Sequence, residues 1–335
     1  MYECAGTRLG EGAVESDGDL DHANMAPGGG WRGRAHRPDG GAGVCQAPRR
    51  MRATVVIPTY KRAERLRALL ECLTHQEGGA LARVVVCDDG SPDHTGEVAR
   101  SFEGRLPLEY AWQEDLGFRA GQARNLGISR AIGEVVVFVD DDVLVRPDFV
   151  AEHVRAHERQ GSGKSVALEV PITAHETPWV YVYSCNFSVT RGHEELRFDE
   201  GFSGWGMEDT ELGYRLYHAG YGIVDTDAAR VLHVEDPAPR DPFRCEVRQL
   251  PPSYDSYVRN AVYFMDKHPH DEVLRGFVRQ DLRWYVQDEL GRWVKNGYAN
   301  DVDAVIALCR QQNAARQIAE RTATEGSNED LRESA

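Results

Sequence analysis

The sequence lacks the features that would direct the protein to a membrane, to nucleic acid or to an oxidising compartment. No apolar stretch approaches the roughly 20 residues that span a bilayer, and the first residues lack a basic start followed by an apolar core. Acidic residues outnumber basic ones by 54 to 39, and the formal charge of -15 argues against a surface that binds a phosphate backbone. The seven cysteines include no CxxC pair, so neither a zinc knuckle nor a disulfide framework is expected. We therefore expect a cytoplasmic protein with no transmembrane segment and no nucleic-acid partner.

The two ends of the chain differ in composition from the part between them. Residues 1–50 contain 11 of the 33 glycines and no hydrophobic periodicity, which is typical of disorder. Met51 directly precedes the first apolar segment, so two interpretations stay open: a flexible extension, or translation that begins at Met51. Residues 323–335 are rich in Glu, Ser and Thr and predict a flexible tail.

Between these ends, short apolar runs alternate with segments of helical periodicity. The predicted strands of the first half are Thr54–Ile57, Val84–Val86, Leu108–Trp112 and Val135–Val139. Helices are predicted around Leu66–Leu73, Thr95–Phe102 and Gly121–Ile132. This alternation predicts an α/β protein whose parallel sheet is joined by right-handed crossovers.

Beyond Val143 the alternation weakens. Strand-like pieces at Ser165–Val170, Trp179–Val189 and Gly222–Val224 predict a mixed continuation of the sheet. The segment from Ser256 to about Arg321 is predicted to be helical.

Two of the predicted strands are followed by acidic residues. Asp88 and Asp89 come after Val84–Val86, and Asp140–Asp142 follow Val135–Val139 directly. Ligands of an open parallel sheet bind beyond the carboxyl ends of its strands, so both groups are expected in one cleft. Three successive carboxylates repel one another, and hard divalent cations such as Mn²⁺ or Mg²⁺ prefer these oxygens. The run predicts a metal site, with a solvated turn as the alternative; for Asp88 and Asp89 the alternative is a simple turn.

Five motifs in a fixed order carry a resemblance to a known family. They are Val55–Tyr60 (VVIPTY), Asp88–Ser91 (DDGS), Gly121–Asn125 (with ARN at its end), Asp140–Asp142 (DDD) and Gly204–Asp209 (GWGMED). Over about residues 53–236 they resemble the motifs of family 2 glycosyltransferases with the GT-A fold. The last motif is similar to the active-site element of galactosyltransferases and chondroitin polymerases. The resemblance implies an inverting, metal-dependent transfer of a sugar from a nucleotide diphosphate donor, UDP above all, to an acceptor hydroxyl.

The resemblance also implies a domain organisation. A Rossmann-like GT-A domain, with a mixed, mainly parallel sheet flanked by helices, would occupy residues 51–240. Residues 51–143 would be its nucleotide-binding half and residues 144–240 its acceptor half. A helical C-terminal region at residues 241–322 would follow, either shaping the acceptor pocket or mediating self-association into a homo-oligomer.

The base and ribose of the donor would be bound by residues near the first two strands. The resemblance implies that Pro58, Thr59 and Tyr60 line the base and ribose and that Asp89 accepts a hydrogen bond from the uracil edge. For Tyr60, core packing is the alternative.

The diphosphate and sugar of the donor would lie beside the three aspartates. The resemblance implies that Arg124 and Asn125 hold Asp140 or the diphosphate, and that Asp140 faces the ribose or sugar. Asp141 would support its neighbours rather than ligate a metal. A structural ion pair is the alternative for Arg124 and Asn125.

The metal would be held by Asp142, and His233 would complete its shell by resemblance to related metal-dependent enzymes. A satisfied structural histidine is the alternative for His233. His153, His157 and His218 have no comparable placement and are expected at the surface or in supporting positions.

The Gly204–Asp209 element combines groups suited to a sugar acceptor. Its glycines permit close backbone approach, Trp205 offers an apolar face to a sugar ring, and the two acids supply a base. By resemblance Asp209 deprotonates the acceptor hydroxyl while Glu208 orients donor or acceptor hydroxyls. A plain helix start is compatible with this reading, because acids are favoured in a first turn.

Two other functions are considered. A sugar-nucleotide nucleotidyltransferase shares a similar sheet and metal requirement, but it would not require the Trp205–Asp209 element. A catalytically silent carbohydrate-binding module would not need the full set of carboxylates. The expected partners are a nucleotide-sugar donor and a hydroxyl-bearing acceptor, either a saccharide or a small molecule.

Overall fold

The structure, a computed structural model, describes residues 50–161, 163–169, 177–226, 228–234, 254–295 and 301–316. All of these residues belong to one compact unit. Apart from Arg50, the predicted extension at residues 1–50 lies outside the described residues, as does the predicted tail at residues 323–335.

A seven-stranded sheet forms the centre of the molecule, in the order β3-β2-β1-β4-β7-β6-β8. Its strands are β1 (Ala53–Thr59), β2 (Leu81–Asp88), β3 (Leu108–Trp112), β4 (Val135–Val139), β6 (Ser165–Leu168), β7 (Asn186–Thr190) and β8 (Gly222–Asp225). Only β7 runs antiparallel to its neighbours, β4 and β6, and the other pairs are parallel. The predicted α/β class with a mixed, mainly parallel sheet is therefore confirmed. Two small pairs lie outside this sheet, β5 (Val143–Val145) with β9 (Val231–His233) and β10 (Val286–Gln287) with β11 (Trp293–Val294).

Helices cover both faces of the sheet and continue after it. They are α1 (Ala63–Thr74), α2 (Thr95–Arg100), α3 (Ala120–Arg130), α4 (Phe149–Gln160), α5 (Glu208–His218), α6 (Asp255–Lys267), α7 (Glu272–Leu282) and a helix over residues 302–316, here α8. Among the described residues, no helix combines the length and apolar character needed to cross a membrane. The cytoplasmic location stays a prediction.

The central strands are apolar on both faces because helices cover both sides. Successive side chains of a strand point to opposite faces. Val55 and Ile57 thus join the core formed with α1, α2 and α4, whereas Val56 joins the core formed with α3 and α5. All five residues of Val135–Val139 are fully buried, which explains why this strand appears in the sequence as an uninterrupted apolar run.

Two sequence predictions are corrected by the structure. Trp179–Val189 is not one strand, because a 3-10 helix, Pro178–Tyr181, precedes β7. Pro178 has no N–H for a sheet ladder, and Trp179 is buried among the rings of three helices instead. The second correction concerns the region predicted as wholly helical after Ser256, where β10 and β11 form a hairpin around Gly291, whose φ is 74°.

The direction of β7 decides which residues meet at the ligand-binding edge of the sheet. Because β7 is antiparallel, its first residue, Asn186, pairs with Val139, the last residue of β4. The carboxyl ends of β1, β2, β4 and β6 lie at the same edge as the start of β7. Residues from both halves of the chain therefore converge there.

Candidate active site

The three aspartates after β4 point into different surroundings. Asp141 is 3% exposed, and its carboxylate accepts hydrogen bonds from Thr59 Oγ1 at 2.7 Å and Arg62 Nη1 at 2.9 Å. Burial raises the pKa of Asp141 to about 6, against the opposing effects of Arg62 and Thr59. Asp141 therefore anchors the run to β1, which fits a supporting role.

Asp142 lies beside His233 because β5 pairs with β9. Val143 is opposite His233 in that pair, and the Val234 N–H donates to the Asp142 carbonyl at 2.8 Å. His233 Nδ1 is 3.9 Å from Asp142 Oδ1, while Oδ2 accepts from Arg62 Nη1 at 2.8 Å. The imidazole is about half exposed, so a ligand can reach it from solvent.

Asp142 and His233 fit a divalent cation that takes most of its ligands from the bound substrate and from water. Within the described ranges, no group of three or more His, Cys, Asp or Glu side chains could enclose an ion. Asp142 Oδ1 and His233 Nδ1 would supply two ligands, and diphosphate oxygens and water would complete the shell, as is usual for Mg²⁺ at phosphate sites.

Arg124 joins the aspartate run to the Gly204–Asp209 element. This side chain is 5% exposed, with Nη2 3.1 Å from Asp140 Oδ1 and Nη1 3.5 Å from Glu208 Oε1. Its Nε and Nη1 have no hydrogen-bond partner in the described part of the chain. A buried guanidinium with open N–H groups is suited to an oxygen of a phosphate or sugar.

Glu208 and Asp209 open α5 after a strained turn. Gly206 has a φ of 107° and Met207, a non-glycine residue, has a φ of 70°. Glu208 Oε2 accepts from the Gly206 N–H at 3.0 Å, and its pKa is raised to about 7 by burial and by the charge of Asp209. Strain of this kind persists only where surrounding contacts enforce it and is concentrated at functional sites.

Asp209 is held by donors from two elements. Its Oδ2 accepts from the backbone N–H of Ser184 at 3.1 Å and from the Ser184 hydroxyl at 3.3 Å, and its Oδ1 accepts from the Thr210 N–H at 2.8 Å. Because α5 starts at Glu208, the helix-start interpretation of these acids is also correct. The carboxylate is oriented by both its own helix and the segment before β7.

Helix α6 fixes the loop that carries Trp205. Ser256 Oγ accepts from the Trp205 N–H at 3.2 Å and donates to the Trp205 carbonyl at 3.0 Å, and Asn260 Nδ2 donates to the Gly206 carbonyl at 2.8 Å. The Trp205 ring stacks on Tyr257 with centroids 5.2 Å apart. Sequence reasoning did not identify these α6 residues, although their spacing places them on one helix face.

Comparison with known proteins gives a family match for part of the chain. Residues 54–198 match the family model described as glycosyl transferase family 2. Helices α5 and α6, which carry candidate residues or contact them, lie beyond the matched residues.

Several known proteins are similar to the chain. It is 31% identical to a validoxylamine A glucosyltransferase of Streptomyces hygroscopicus subsp. jinggangensis over 266 residues, which cover 64% of this chain and 61% of the relative. It is 28% identical to a chondroitin synthase of Escherichia coli over 238 residues, 55% of this chain and 35% of that one. The chain thus spans less than two thirds of the length of these relatives.

Solved structures have folds similar to that of this chain. The mannosyltransferase PcManGT from Pyrobaculum calidifontis, in complex with GDP-Man and Mn²⁺, aligns with a TM-score of 0.52 at 18% identity, covering 83% of this chain and 80% of that chain. S. aureus TarS 1-349, in complex with UDP-GlcNAc, aligns with a TM-score of 0.50 at 18% identity, covering 70% of this chain and 71% of that one. The GT-A fold implied by the resemblance is confirmed.

At the carboxyl end of β2, Asp89 is buried and both of its carboxylate oxygens accept hydrogen bonds. Its two carboxylate oxygens accept from Gln113 Nε2 at 2.8 Å and from the Arg119 N–H at 2.9 Å. The Tyr60 hydroxyl donates to Asp115 Oδ2 at 2.6 Å at a partly exposed position, and Pro58 lies in β1 opposite Cys87. A base bound here would share Asp89 with the chain's own donors.

Asp88 and Asn125 have structural partners. Asp88 Oδ1 accepts from the Ser91 N–H at 2.8 Å, so the turn interpretation describes this residue. Asn125 does not hydrogen-bond to Asp140; its Nδ2 donates to the Phe198 carbonyl at 2.9 Å and its Oδ1 accepts from the Phe198 N–H at 2.8 Å. Asn125 thereby fixes the loop after β7.

His153 and His157 were expected either at the surface or in supporting positions. The surface location is wrong for both residues. Both are fully buried, and their ring nitrogens bond to Ser188, Asn186 and Ser165 of the sheet. They follow the apolar face of α4 at an i, i+4 spacing, which is the signal that could have revealed their burial.

Proposed function

We propose that the protein is an inverting, metal-dependent glycosyltransferase that transfers a sugar from a nucleotide diphosphate donor to an acceptor hydroxyl. The observation that carries the proposal is the pair of contacts made by Arg124. Its buried guanidinium lies beside both Asp140 and Glu208. These contacts support the proposal that the groups for donor and acceptor lie close together. UDP is the carrier favoured by the family resemblance, and structures of the same fold hold UDP-GlcNAc or GDP-Man.

The donor end would be formed by the residues around the aspartate run. Thr59, Tyr60 and Asp89 would bind the nucleoside, and Arg124 would place its open N–H groups toward the diphosphate or the sugar. Asp142 and His233 would hold Mn²⁺ or Mg²⁺, which supplies positive charge for the departing diphosphate.

The chemical step is a single displacement. The acceptor oxygen bonds to the anomeric carbon as the bond to the diphosphate oxygen breaks, and the bonding electrons leave with the diphosphate. Asp209 takes the hydroxyl proton, since Ser184 and Thr210 orient its carboxylate without supplying a neutralising cation. Attack from the face opposite the diphosphate inverts the anomeric centre. Trp205 would place an apolar face against the acceptor, and Glu208 would orient a hydroxyl.

Two measurements on the full chain test this proposal. Thermal shifts with UDP, GDP or CDP, with and without Mn²⁺, should give a metal-dependent increase in Tm for one diphosphate. Asp209→Asn should keep that shift but lower the release of UDP from UDP-sugars by about 10²- to 10⁴-fold. Glu272→Gln, at an exposed acid in the first turn of α7, is the matched control and should change neither.

Three outcomes would contradict the proposal at different points. Near-normal transfer by Asp209→Asn would exclude Asp209 as the base. No shift with any diphosphate would exclude the donor class. Release of pyrophosphate from a nucleoside triphosphate and a sugar phosphate would instead indicate a nucleotidyltransferase.

A further inference from the structure

A buried chain of hydrogen bonds crosses from α4 to the site edge of the sheet. Ser165 Oγ lies 2.7 Å from His157 Nδ1, and His157 Nε2 lies 2.8 Å from Ser188 Oγ. Ser188 Oγ lies 2.8 Å from His153 Nδ1, and His153 Nε2 lies 3.0 Å from Asn186 Oδ1. All five residues are buried, so each polar atom depends on its neighbour in the chain.

The direction of this chain is fixed at its Asn186 end. Asn186 Nδ2 donates to Glu169 Oε2 and to the Ala229 carbonyl, both at 2.7 Å, and neither oxygen can donate in return. The amide oxygen must therefore face His153, whose Nε2 carries the proton. Ser188 then donates to Nδ1 of His153 and accepts from Nε2 of His157. Both histidines therefore carry their proton on Nε2. The orientation of the Asn186 amide is thus imposed by the core.

This series of hydrogen bonds ends at Glu169, which is the only residue of the series that is not buried. Glu169 directly follows β6, and Asn186 is its only hydrogen-bond partner among the described residues. No described cation pairs with it. One carboxylate oxygen is fixed by a neutral amide, and the charge remains available to a ligand.

Glu169 lies near Asp209, the proposed base. Ser184 holds the carboxylate of Asp209, and Asn186, two residues later, holds that of Glu169. Between them, the Cys185 carbonyl accepts from the backbone N–H of Asp140 at 3.4 Å. Burial raises the pKa of the Cys185 thiol, and the negative charges of Asp140, Asp209 and Glu169 raise it further. One three-residue segment therefore positions two carboxylates.

The sheet order identifies the substrate that Glu169 would meet. The nucleoside residues follow β1 and β2, whereas β6 lies two strands beyond β4 on the opposite side. A carboxylate on that side, beside the base, faces the acceptor rather than the nucleotide. We infer that Glu169 binds a second hydroxyl of the acceptor, next to the hydroxyl that Asp209 deprotonates, and that the acceptor is a polyhydroxylated ring; this inference rests on the proposed function.

Steady-state kinetics of Glu169→Gln test the inference. Glutamine can still accept from Asn186, so the fold is retained while the charge is lost. The donors are UDP-glucose and UDP-N-acetylglucosamine with Mn²⁺, and the acceptor probes are validoxylamine A, D-glucose and myo-inositol. The KM for the acceptor should increase by about tenfold or more, the usual loss for a hydrogen bond to a charged group. The KM for the donor, and its hydrolysis without acceptor, should stay within about twofold because the donor does not touch Glu169.

Glu195→Gln is the matched control, since Glu195 pairs with Lys164 away from the site at 2.9 Å and should change no kinetic constant. Asn186→Ala tests positioning, and the same selective increase in acceptor KM is expected. An unchanged acceptor KM in Glu169→Gln, or an equal increase in donor KM, would overturn the inference. A wild-type protein that hydrolyses donor but transfers to no probe would overturn the acceptor class. Failure to hydrolyse either donor, in a protein whose Tm no nucleoside diphosphate raises, would instead overturn the proposed function, and this inference with it.

Discussion

Each of the two buried histidines of α4 should contribute a loss of stability on acidification. Burial lowers the pKa of His153 to about 3 and that of His157 to about 4, from an ordinary value of 6.5. The unfolded chain takes up protons below pH 6.5, whereas the folded chain does not until about pH 4. The stability contributed by the neutral rings is therefore complete above pH 6.5 and is lost as the pH falls toward the folded values.

The magnitude follows from proton linkage. Each histidine contributes a slope of about 1.4 kcal/mol per pH unit between the two pKa values, so the step from pH 7 to pH 5 costs about 2 kcal/mol per ring. For a unit of this size, that corresponds to a decrease in Tm of about 4 °C per ring. Asp141 and Glu208, whose pKa values are raised, act in the opposite direction over the same range.

Urea unfolding of wild type and His157→Gln at pH 7 and pH 5 isolates one ring. The glutamine variant should be less stable at pH 7, since the bonds to Ser165 and Ser188 are disturbed, but it should lose about 2 kcal/mol less on acidification. Effects of the carboxylates are common to both proteins and cancel in the difference. His75→Gln, at an exposed histidine, should follow the wild type. An identical loss in wild type and His157→Gln would refute the assignment of a buried neutral ring.

Three further predictions concern the site. Gly206→Ala should lower transfer at least about tenfold while the thermal shift with UDP is retained, because a Cβ there would lie 2.4 Å from Tyr257 at a φ of 107°; unchanged transfer would contradict the rigid loop. Asn260→Ala should lower the free energy of unfolding in urea by about 1–3 kcal/mol, because the Gly206 carbonyl loses its buried donor; a neutral effect would show that this bond is replaceable. Asp142→Asn, or chelation by EDTA, should abolish the Mn²⁺-dependent part of the UDP shift, and the same loss is expected for His233→Ala; a shift of wild-type size would exclude Asp142 and His233 as ligands.

Elements whose burial is visible as an apolar pattern in their own residues were predictable from the sequence. Val135–Val139 is continuous and apolar because both of its faces are covered, and its predicted bounds agree with β4. The prediction that Trp179 lies in a strand was wrong because its ring packs against Tyr214 and two phenylalanines. These partners are distant in the chain. Periodicity cannot report contacts of this kind.

The candidate site shows the same division. Motifs located the acids at strand ends, and Arg124 contacts Asp140 as the resemblance allowed. The residues that orient these acids were missed. Ser184 and Asn186 act because β7 runs backward through the sheet, and this direction is a property of the whole topology. Arg62 lies two residues after the first motif but was not identified, because its partners lie about 80 residues later.

The turn before the antiparallel β7 has a consequence for which acceptors fit. Ser184 and Asn186 are two residues apart in this turn, where the Asn186 N–H donates to the Tyr183 carbonyl at 3.2 Å. One hydrogen-bonded turn therefore sets the spacing between Asp209 and Glu169. With Asp209 and Glu169 in their proposed roles, the enzyme would select acceptors by the distance between two hydroxyl groups. It would tolerate variation in the rest of the acceptor molecule.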